Sequence, residues 1–270
     1  MHSHPFDDAI RLDAVGDHVY TGQTTTPYAN MVGPYGGTTC AVLLNAALLH
    51  PERQGDPISL TVNFASPIAG GGFEIEARPV RTNRSTQHWS MQMRQADGVV
   101  ATATAVLALR RETWSAAEAV APADVQPAAS LARADTRGRP AWTQRYDMRF
   151  ADGDLPPVFD SVEQPHSRSR LWMRDDPPRP LDFASLAALC DGFFPRIFLR
   201  RRMLTPIGTV SLTSYFHADA AALAAQADRH VLGTARAQAY RNGYFDQSAE
   251  VWSDDGRLLA STHQIVYYRA

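Results

Sequence analysis

The chain has 270 residues, of which 44% are apolar and 20% charged, and its formal net charge is −2. These values are typical of a soluble globular protein that can bury a sizeable core. The charge balance argues against a nucleic-acid binder, which would carry a basic stripe. Lysine is absent from the sequence, which excludes lysine Schiff-base chemistry and a P-loop lysine.

The N-terminal segment lacks a basic stretch followed by an apolar core, so we expect no signal peptide. No run of about 18 apolar residues occurs, so we expect no membrane-spanning segment. Cys40 and Cys190 lie in apolar stretches, which predicts buried free thiols. Together these features favour a cytoplasmic protein.

The first part of the chain predicts a helix followed by antiparallel strands. GGTTCAVLLNAALLH (36–50) predicts the helix, which Thr38 or Thr39 could cap. ISLTVNF (58–64) alternates apolar and polar residues, as a half-buried strand does. The dipeptide Asp97-Gly98 then predicts a hairpin before a last strand.

The middle of the chain, residues 112–140, is rich in alanine and proline and predicts a linker. A second helix is predicted over DFASLAALCDGFF (182–194), with Asp182 as its N-cap. Gly192 and Pro195 mark the end of this helix.

Another alternating strand follows in VSLTSYF (210–216), which predicts Val210, Leu212 and Phe216 on one face. Asp255-Gly256 again predicts a hairpin before a final strand. The second part of the chain thus shows the same plan as the first.

Three short segments of the first part recur in the second part in the same order. Each match alone is weak, but their order and slowly growing offset indicate two copies of one unit. The matches are 58–64 with 210–216, 41–45 with 187–191, and 97–106 with 255–265.

The repeat predicts an α+β fold with one long helix against an antiparallel sheet in each unit. We expect a first unit at 1–111, a linker at 112–140 and a second unit at 141–270. The motifs of serine hydrolases, zinc proteases, P-loop proteins and dinucleotide-binding proteins are absent from the sequence. We therefore expect neither a metal nor a cofactor.

The two copies differ at three positions where the second has a stronger hydrogen-bonding side chain. A site kept by only one copy would produce such differences. The pairs, second copy first, are Asp191 and Asn45, Thr209 and Pro57, and Gln264 and Ala105.

Each of these three residues also has a purely structural interpretation. Asp191 could bond a loop amide at the end of its helix, Gln264 could face water on an edge strand, and Thr209 could simply begin a strand. The occurrence of all three differences in one copy favours a site instead.

The sequence resembles the double-hotdog acyl-CoA thioesterases of the thioesterase II type over nearly its whole length. GPYGG (33–37) looks like the family's helix start, and VNFASP (62–67) resembles its strand ending in an aromatic residue and a proline. The resemblance implies a double hotdog, in which two fused units each wrap a sheet around a long helix. It also implies an acyl-CoA substrate and a homo-oligomer.

Asp191 in LCDGFF, Thr209 in GTVSLTSYFH and Gln264 in LASTHQ match the family's catalytic Asp, Thr and Gln one by one. The resemblance implies that Asp191 activates or orients a water while Thr209 and Gln264 hold it. The thioester would then be hydrolysed without a covalent intermediate.

Two other functions on the same fold are open alternatives. A hydratase acting on enoyl-CoA would need a histidine close to its aspartate, and the helix near Asp191 has none. A non-catalytic acyl-CoA-binding protein would not need all three polar residues.

Overall fold

The computed structural model describes residues 3–269, and within them thirteen strands form one antiparallel sheet. The elements of the first half are α1 (Pro5–Ala9), β1 (Asp13–Ala14), β2 (Val19–Gln23), α2 (Gly36–Leu49), β3 (Asp56–Phe64), β4 (Gly72–Thr82), β5 (Thr86–Gln95) and β6 (Gly98–Ala108). Those of the second half are β7 (Tyr146–Asp152), β8 (Ser169–Asp175), α3 (Phe183–Leu189), α4 (Arg196–Arg201), β9 (Ile207–Phe216), α5 (Ala220–Gln226), β10 (Val231–Arg236), β11 (Tyr240–Arg241), β12 (Tyr244–Trp252) and β13 (Leu258–Tyr268).

The strand order is β1-β2-β4-β5-β6-β3-β9-β13-β12-β10-β8-β7, with β11 paired to β12. The order within the second half is therefore the mirror image of the order within the first. At the centre, Thr61 of β3 lies opposite Thr213 of β9, and their hydroxyl oxygens are 3.0 Å apart. These two threonines occupy matching places in the repeat, so an approximate two-fold axis passes between them.

The same irregularities recur in both halves of the sheet. Ile58 and Val210 are each an extra residue on the strand next to the centre, and Val100 and Leu259 are each an extra residue beyond the predicted hairpins. A β-bulge re-aims the side chains that follow it. Because both bulges are duplicated, the repeat extends to details that sequence matching alone does not reach.

The bulge at Val210 corrects one prediction. Val210 does not share the buried face of Leu212 and Phe216 but is 41% exposed, because the strand slips by one residue there. The neighbouring Thr209 turns to the inner face instead and lines a cavity.

The longest helix, α2, begins earlier than a threonine cap would allow. Its N-cap is Tyr35, and the Thr38 hydroxyl donates to the Tyr35 carbonyl oxygen at 2.7 Å, so neither Thr38 nor Thr39 caps it. The first turn of the helix, at Gly36 and Gly37, lies so close to the second half that side chains would not fit there.

The second long helix is shorter than predicted. Asp182 does cap α3, accepting from the Ser185 backbone N–H at 2.8 Å in a capping box. The helix nevertheless stops at Leu189, and the chain turns before α4 begins after Pro195. Proline cannot donate a helical hydrogen bond, so one continuous helix is disfavoured here.

The core lies between the sheet and the helices, where α2 and α3 pack against each other. Cys40 and Cys190 are both buried free thiols, as predicted. Residues 112–127 form neither helix nor strand and lie mostly exposed. None of the described helices has the length and apolar character needed to span a bilayer.

Candidate active site

The three predicted site residues form one hydrogen-bonded chain. The Thr209 hydroxyl donates to Gln264 Oε1 at 3.2 Å, and Gln264 Nε2 donates to Asp191 Oδ1 at 3.2 Å. All three side chains line a single cavity of about 480 Å³. The carboxyl group is therefore fixed by an amide, which is fixed in turn by a hydroxyl.

A different local feature positions each of these residues. Asp191 lies in the turn that follows α3, so its side-chain direction is not set by the helix. Thr209 points inward because of the bulge at Val210. Gln264 is an inward-facing residue of β13 and is almost fully buried.

The N-terminus of α2 closes the site from the first half. An added Cβ at Gly36 would lie 2.7 Å from Asp191 Oδ2, and one at Gly37 would lie 2.5 Å from the Ala188 carbonyl oxygen. The Gly37 backbone N–H also lies close enough to the Asp191 carboxyl group to lower its pKa. The positive end of a helix favours a negative charge, so both halves contribute to the site.

Burial dominates the electrostatics of Asp191. It raises the pKa of the carboxyl group to about 7, and the N–H groups of the Gln264 amide and of the Gly37 backbone oppose that rise. A pKa near neutrality lets the group accept and release a proton at physiological pH.

The corresponding region of the first half is filled. Ala105 and Pro57 stand where Gln264 and Thr209 stand, and both are buried. Trp89, paired with Ala105 across β5 and β6, is 1% exposed. Asn45 remains inside α2 and donates to the Ile10 carbonyl oxygen at 2.9 Å. No polar chain comparable to that of the second half forms among these residues.

Two further residues at the site were not identified by the sequence analysis. Gln247 lines the cavity directly opposite Gln264 across β12 and β13. Arg196, at the start of α4, donates to Gln247 Oε1 at 2.9 Å. Extending the repeat comparison to β5 and β12 would have paired Gln247 with Trp89 and exposed another polar-for-apolar difference.

Aromatic side chains form much of the cavity wall. The rings of Tyr35 and Trp142 stack with centroids 4.2 Å apart, and the Tyr35 hydroxyl donates to the Ala188 carbonyl oxygen at 2.7 Å. Phe194 and Phe198 also line the cavity. A polar cluster in a mostly apolar, preformed pocket is the usual composition of a small-molecule site.

One group of potential metal ligands lies elsewhere among residues 3–269. The ligand atoms of His18, His50 and Glu52 lie within 4.8 Å of one another. However, the Glu52 backbone N–H donates to His50 Nδ1 at 3.1 Å, so His50 Nε2 carries the proton and donates to His18 Nδ1 at 2.8 Å. A metal on Nε2 would need the opposite tautomer, so this group fits a hydrogen-bonded pair better.

Comparison with protein families gives two matches that together span most of the chain. Residues 25–108 match the acyl-CoA thioesterase N-terminal domain, and residues 116–268 match the acyl-CoA thioesterase C-terminal domain. No curated protein matches the chain.

Several solved structures are similar over almost their whole length. A conserved protein of unknown function with a hot dog fold from Alicyclobacillus acidocaldarius is 50% identical, with 100% of this chain and 99% of that chain covered and a TM-score of 0.94. The acyl-CoA thioesterase II TesB2 of Mycobacterium marinum is 17% identical, with 98% of each chain covered and a TM-score of 0.77. At that identity the likeness concerns the fold alone.

Proposed function

The chain belongs to the acyl-CoA thioesterase family and is a thioester hydrolase, and from this premise we propose that it cleaves acyl-CoA by direct attack of water. The observation that carries the proposal is the hydrogen-bonded series Thr209–Gln264–Asp191 at the wall of an apolar cavity. It combines a basic carboxyl group with a space suited to an acyl group.

In the proposed mechanism, Asp191 accepts a proton from a water molecule as the water oxygen attacks the thioester carbonyl carbon. The tetrahedral intermediate collapses, the carbon–sulfur bond breaks, and the leaving thiolate takes the proton from Asp191, which restores the carboxylate. Gln264 holds the carboxyl group and Thr209 holds Gln264. The products are a free acid and CoA, with no covalent enzyme intermediate.

We also propose that the fold is a double hotdog with units at 1–111 and 141–270, joined by a linker at 112–140. The mirrored strand order and the packing of α2 against α3 support this division. The hydrogen-bonded series of Thr209, Gln264 and Asp191 lies in the second half, which supports one active site per polypeptide.

A homo-oligomer is a further part of the proposal. Val210, Tyr244, Ile265 and Tyr267 are exposed on the neighbouring strands β9, β12 and β13. An exposed apolar patch of this kind often marks a contact between proteins. Light scattering coupled to size-exclusion chromatography measures the number of chains in the particle.

The central experiment follows free thiol release from acyl-CoAs of graded chain length. We expect turnover by the unmodified protein and a loss of roughly 10²-fold in kcat for Gln264→Ala, because one preorganised polar contact is removed. Gln92→Ala, on β5 in the first half, is the matched control and should leave kcat unchanged.

Two outcomes would favour the alternative functions. Thermal stabilisation by CoA esters with no thiol release from any of them would indicate a binding protein. Loss of the enoyl absorbance of a crotonyl-CoA substrate, again without thiol release, would indicate a hydratase. Either result would overturn the proposed hydrolysis of acyl-CoA.

A further inference from the structure

We infer that Gln247 is a further catalytic residue, whose side-chain amide N–H donates to the thioester carbonyl oxygen as that oxygen gains negative charge. The inference rests on the proposed hydrolysis of acyl-CoA. It adds a group that stabilises the oxyanion to the groups that activate the water.

The first support is position. Gln247 of β12 lies directly opposite Gln264 of β13, and both side chains reach the same cavity. Gln247 is only 2% exposed and Gln264 only 4%. A donor in such a buried site interacts with charge far more strongly than a donor in water.

The second support is the orientation of the amide. Arg196 Nε donates to Gln247 Oε1 at 2.9 Å. Arginine has donors and no acceptor, so it can face only the carbonyl end of the amide. The Nε2 end is thereby left to face the cavity. Gln264, in contrast, uses its carbonyl for Thr209 and its N–H for Asp191.

The third support is the environment of Arg196. This side chain is 1% exposed and donates to the carbonyl oxygens of Phe194 and Ser167, the Ser169 hydroxyl and Gln247. Its hydrogen-bond partners among the described residues include no carboxylate. Burial lowers the pKa of Arg196 to about 10, so the group stays charged at neutral pH.

A buried cation on the carbonyl end of an amide polarises it and makes its N–H a better donor. Arg196 therefore acts as a positioning residue for Gln247. Its positive charge, balanced within its own hydrogen-bond shell only by neutral acceptors, also favours negative charge developing nearby.

The fourth support is the contrast with the first half. The positions that match Gln247 and Gln264 hold Trp89 and Ala105, which face each other across β5 and β6 in the same register. The paired amides thus occur in the half that has the aspartate, and apolar residues replace both of them in the other half.

The variant Gln247→Glu separates a catalytic role from a structural one. Glutamate has nearly the same shape and still accepts from Arg196, but it has no N–H to donate. We expect kcat for acyl-CoA to fall roughly 10²-fold or more, with KM nearly unchanged and Tm kept or raised. Gln92→Glu is the matched control, because Gln92 Oε1 likewise accepts from an arginine, Arg94, at 2.9 Å.

A second variant removes the added charge. Gln247→Met, which adds no charge, should show the same loss of kcat and should keep the midpoint of the pH–rate profile near that of the unmodified enzyme. A midpoint displaced in Gln247→Glu alone, with Gln247→Met fully active, would mean that the new carboxylate acts on Asp191 and would overturn the inference.

Binding provides an independent measurement. The unmodified enzyme should bind a methylene-ketone analogue of hexanoyl-CoA more tightly than hexyl-CoA thioether, which lacks the carbonyl oxygen. Gln247→Glu should lose that preference while binding the thioether normally. An undiminished preference, or unimpaired turnover by the folded variants, overturns the inference. Failure of the proposed function would differ, because the unmodified protein would then release no thiol.

Discussion

The two halves of the sheet share their strand order and their bulges, yet they differ in what lies between sheet and helix. In the first half Trp89, Ala105 and Pro57 fill the space with apolar atoms. In the second half a cavity of about 480 Å³ is bordered by Asp191 and Gln264. One backbone plan therefore supports either a packed core or a polar site, and a few side chains decide which forms.

The two halves also differ in the free-energy cost of burying polar groups. Burial makes the ionised form of Asp191 unfavourable and raises its pKa to about 7. The first half carries no comparable penalty at Asn45, whose amide bonds a backbone carbonyl. The second half thus bears the cost of the site, while the first half supplies packing and the N-terminus of α2.

The largest difference in activity should be the one between Asp191→Ala and the matching change in the first half. Asp191→Ala should lower kcat by about 10²- to 10⁴-fold, because it removes the proposed general base. Asn45→Ala is the matched change in the first half and should leave turnover per folded molecule unaltered. Steady-state thiol release measures both. Equal losses in the two variants would contradict the assignment of the site to one half.

The next effect tests the contribution of the first half to the site. Gly36→Ala would place a Cβ 2.7 Å from Asp191 Oδ2 and should displace the carboxyl group. Misplacement of a catalytic group by about 1 Å can cost as much as 10²-fold in rate, so we expect kcat to fall by about 10- to 100-fold.

Gly70→Ala is the control for this change, since an added Cβ there meets no atom within 4 Å. Its kinetic constants should match those of the unmodified enzyme. Full activity of Gly36→Ala would show that α2 is not tightly placed against the carboxyl group.

A moderate effect is expected from pH. The raised pKa of about 7 for Asp191 means that the basic form increases as pH rises through neutrality. Activity should therefore increase about tenfold between pH 6 and pH 8. The folded state binds this proton more tightly than the unfolded chain, so the same rise in pH removes stability.

Asp175 provides the control for the pH profile, because burial also raises its pKa to about 7 although it does not line the cavity. Asp175→Asn should change the pH dependence of the free energy of unfolding but not the midpoint of the rate profile. A shifted kinetic midpoint in this variant would contradict the role given to Asp191.

The smallest effect on turnover should follow from opening the filled half. Trp89→Ala removes a fully buried indole and should lower the free energy of unfolding by about 3–5 kcal/mol. Urea denaturation measures this change. The kcat of the folded variant should be retained, and a large loss of kcat would mean that the packed half takes part in catalysis.

Much of the fold could be predicted from the sequence, because strand alternation, Asp-Gly hairpins and the Asp182 cap are local signals. The three candidate site residues emerged from comparing the copies, and the structure brings them into hydrogen-bond contact. Their position could therefore be predicted from the repeat.

Other features could not be predicted because they depend on tertiary contacts. The exposed position of Val210 follows from a bulge that only strand pairing defines. The early end of α3 and the burial of Arg196 depend on the packing of distant segments. Gln247 was missed for a different reason, since the repeat comparison was not extended to β5 and β12, where Gln247 matches Trp89.

The central pairing of β3 with β9 has a consequence for how such a chain could arise and be divided. Either half alone would expose that strand as an unpaired edge, and such edges readily pair with another chain. We expect an isolated half to self-associate through this edge, as a symmetric dimer with Thr61 or Thr213 on its axis. After fusion of two copies, a single copy would no longer have to provide both the catalytic groups and the structural support. Covalent linkage thus gives one half the freedom to specialise in chemistry and the other in support.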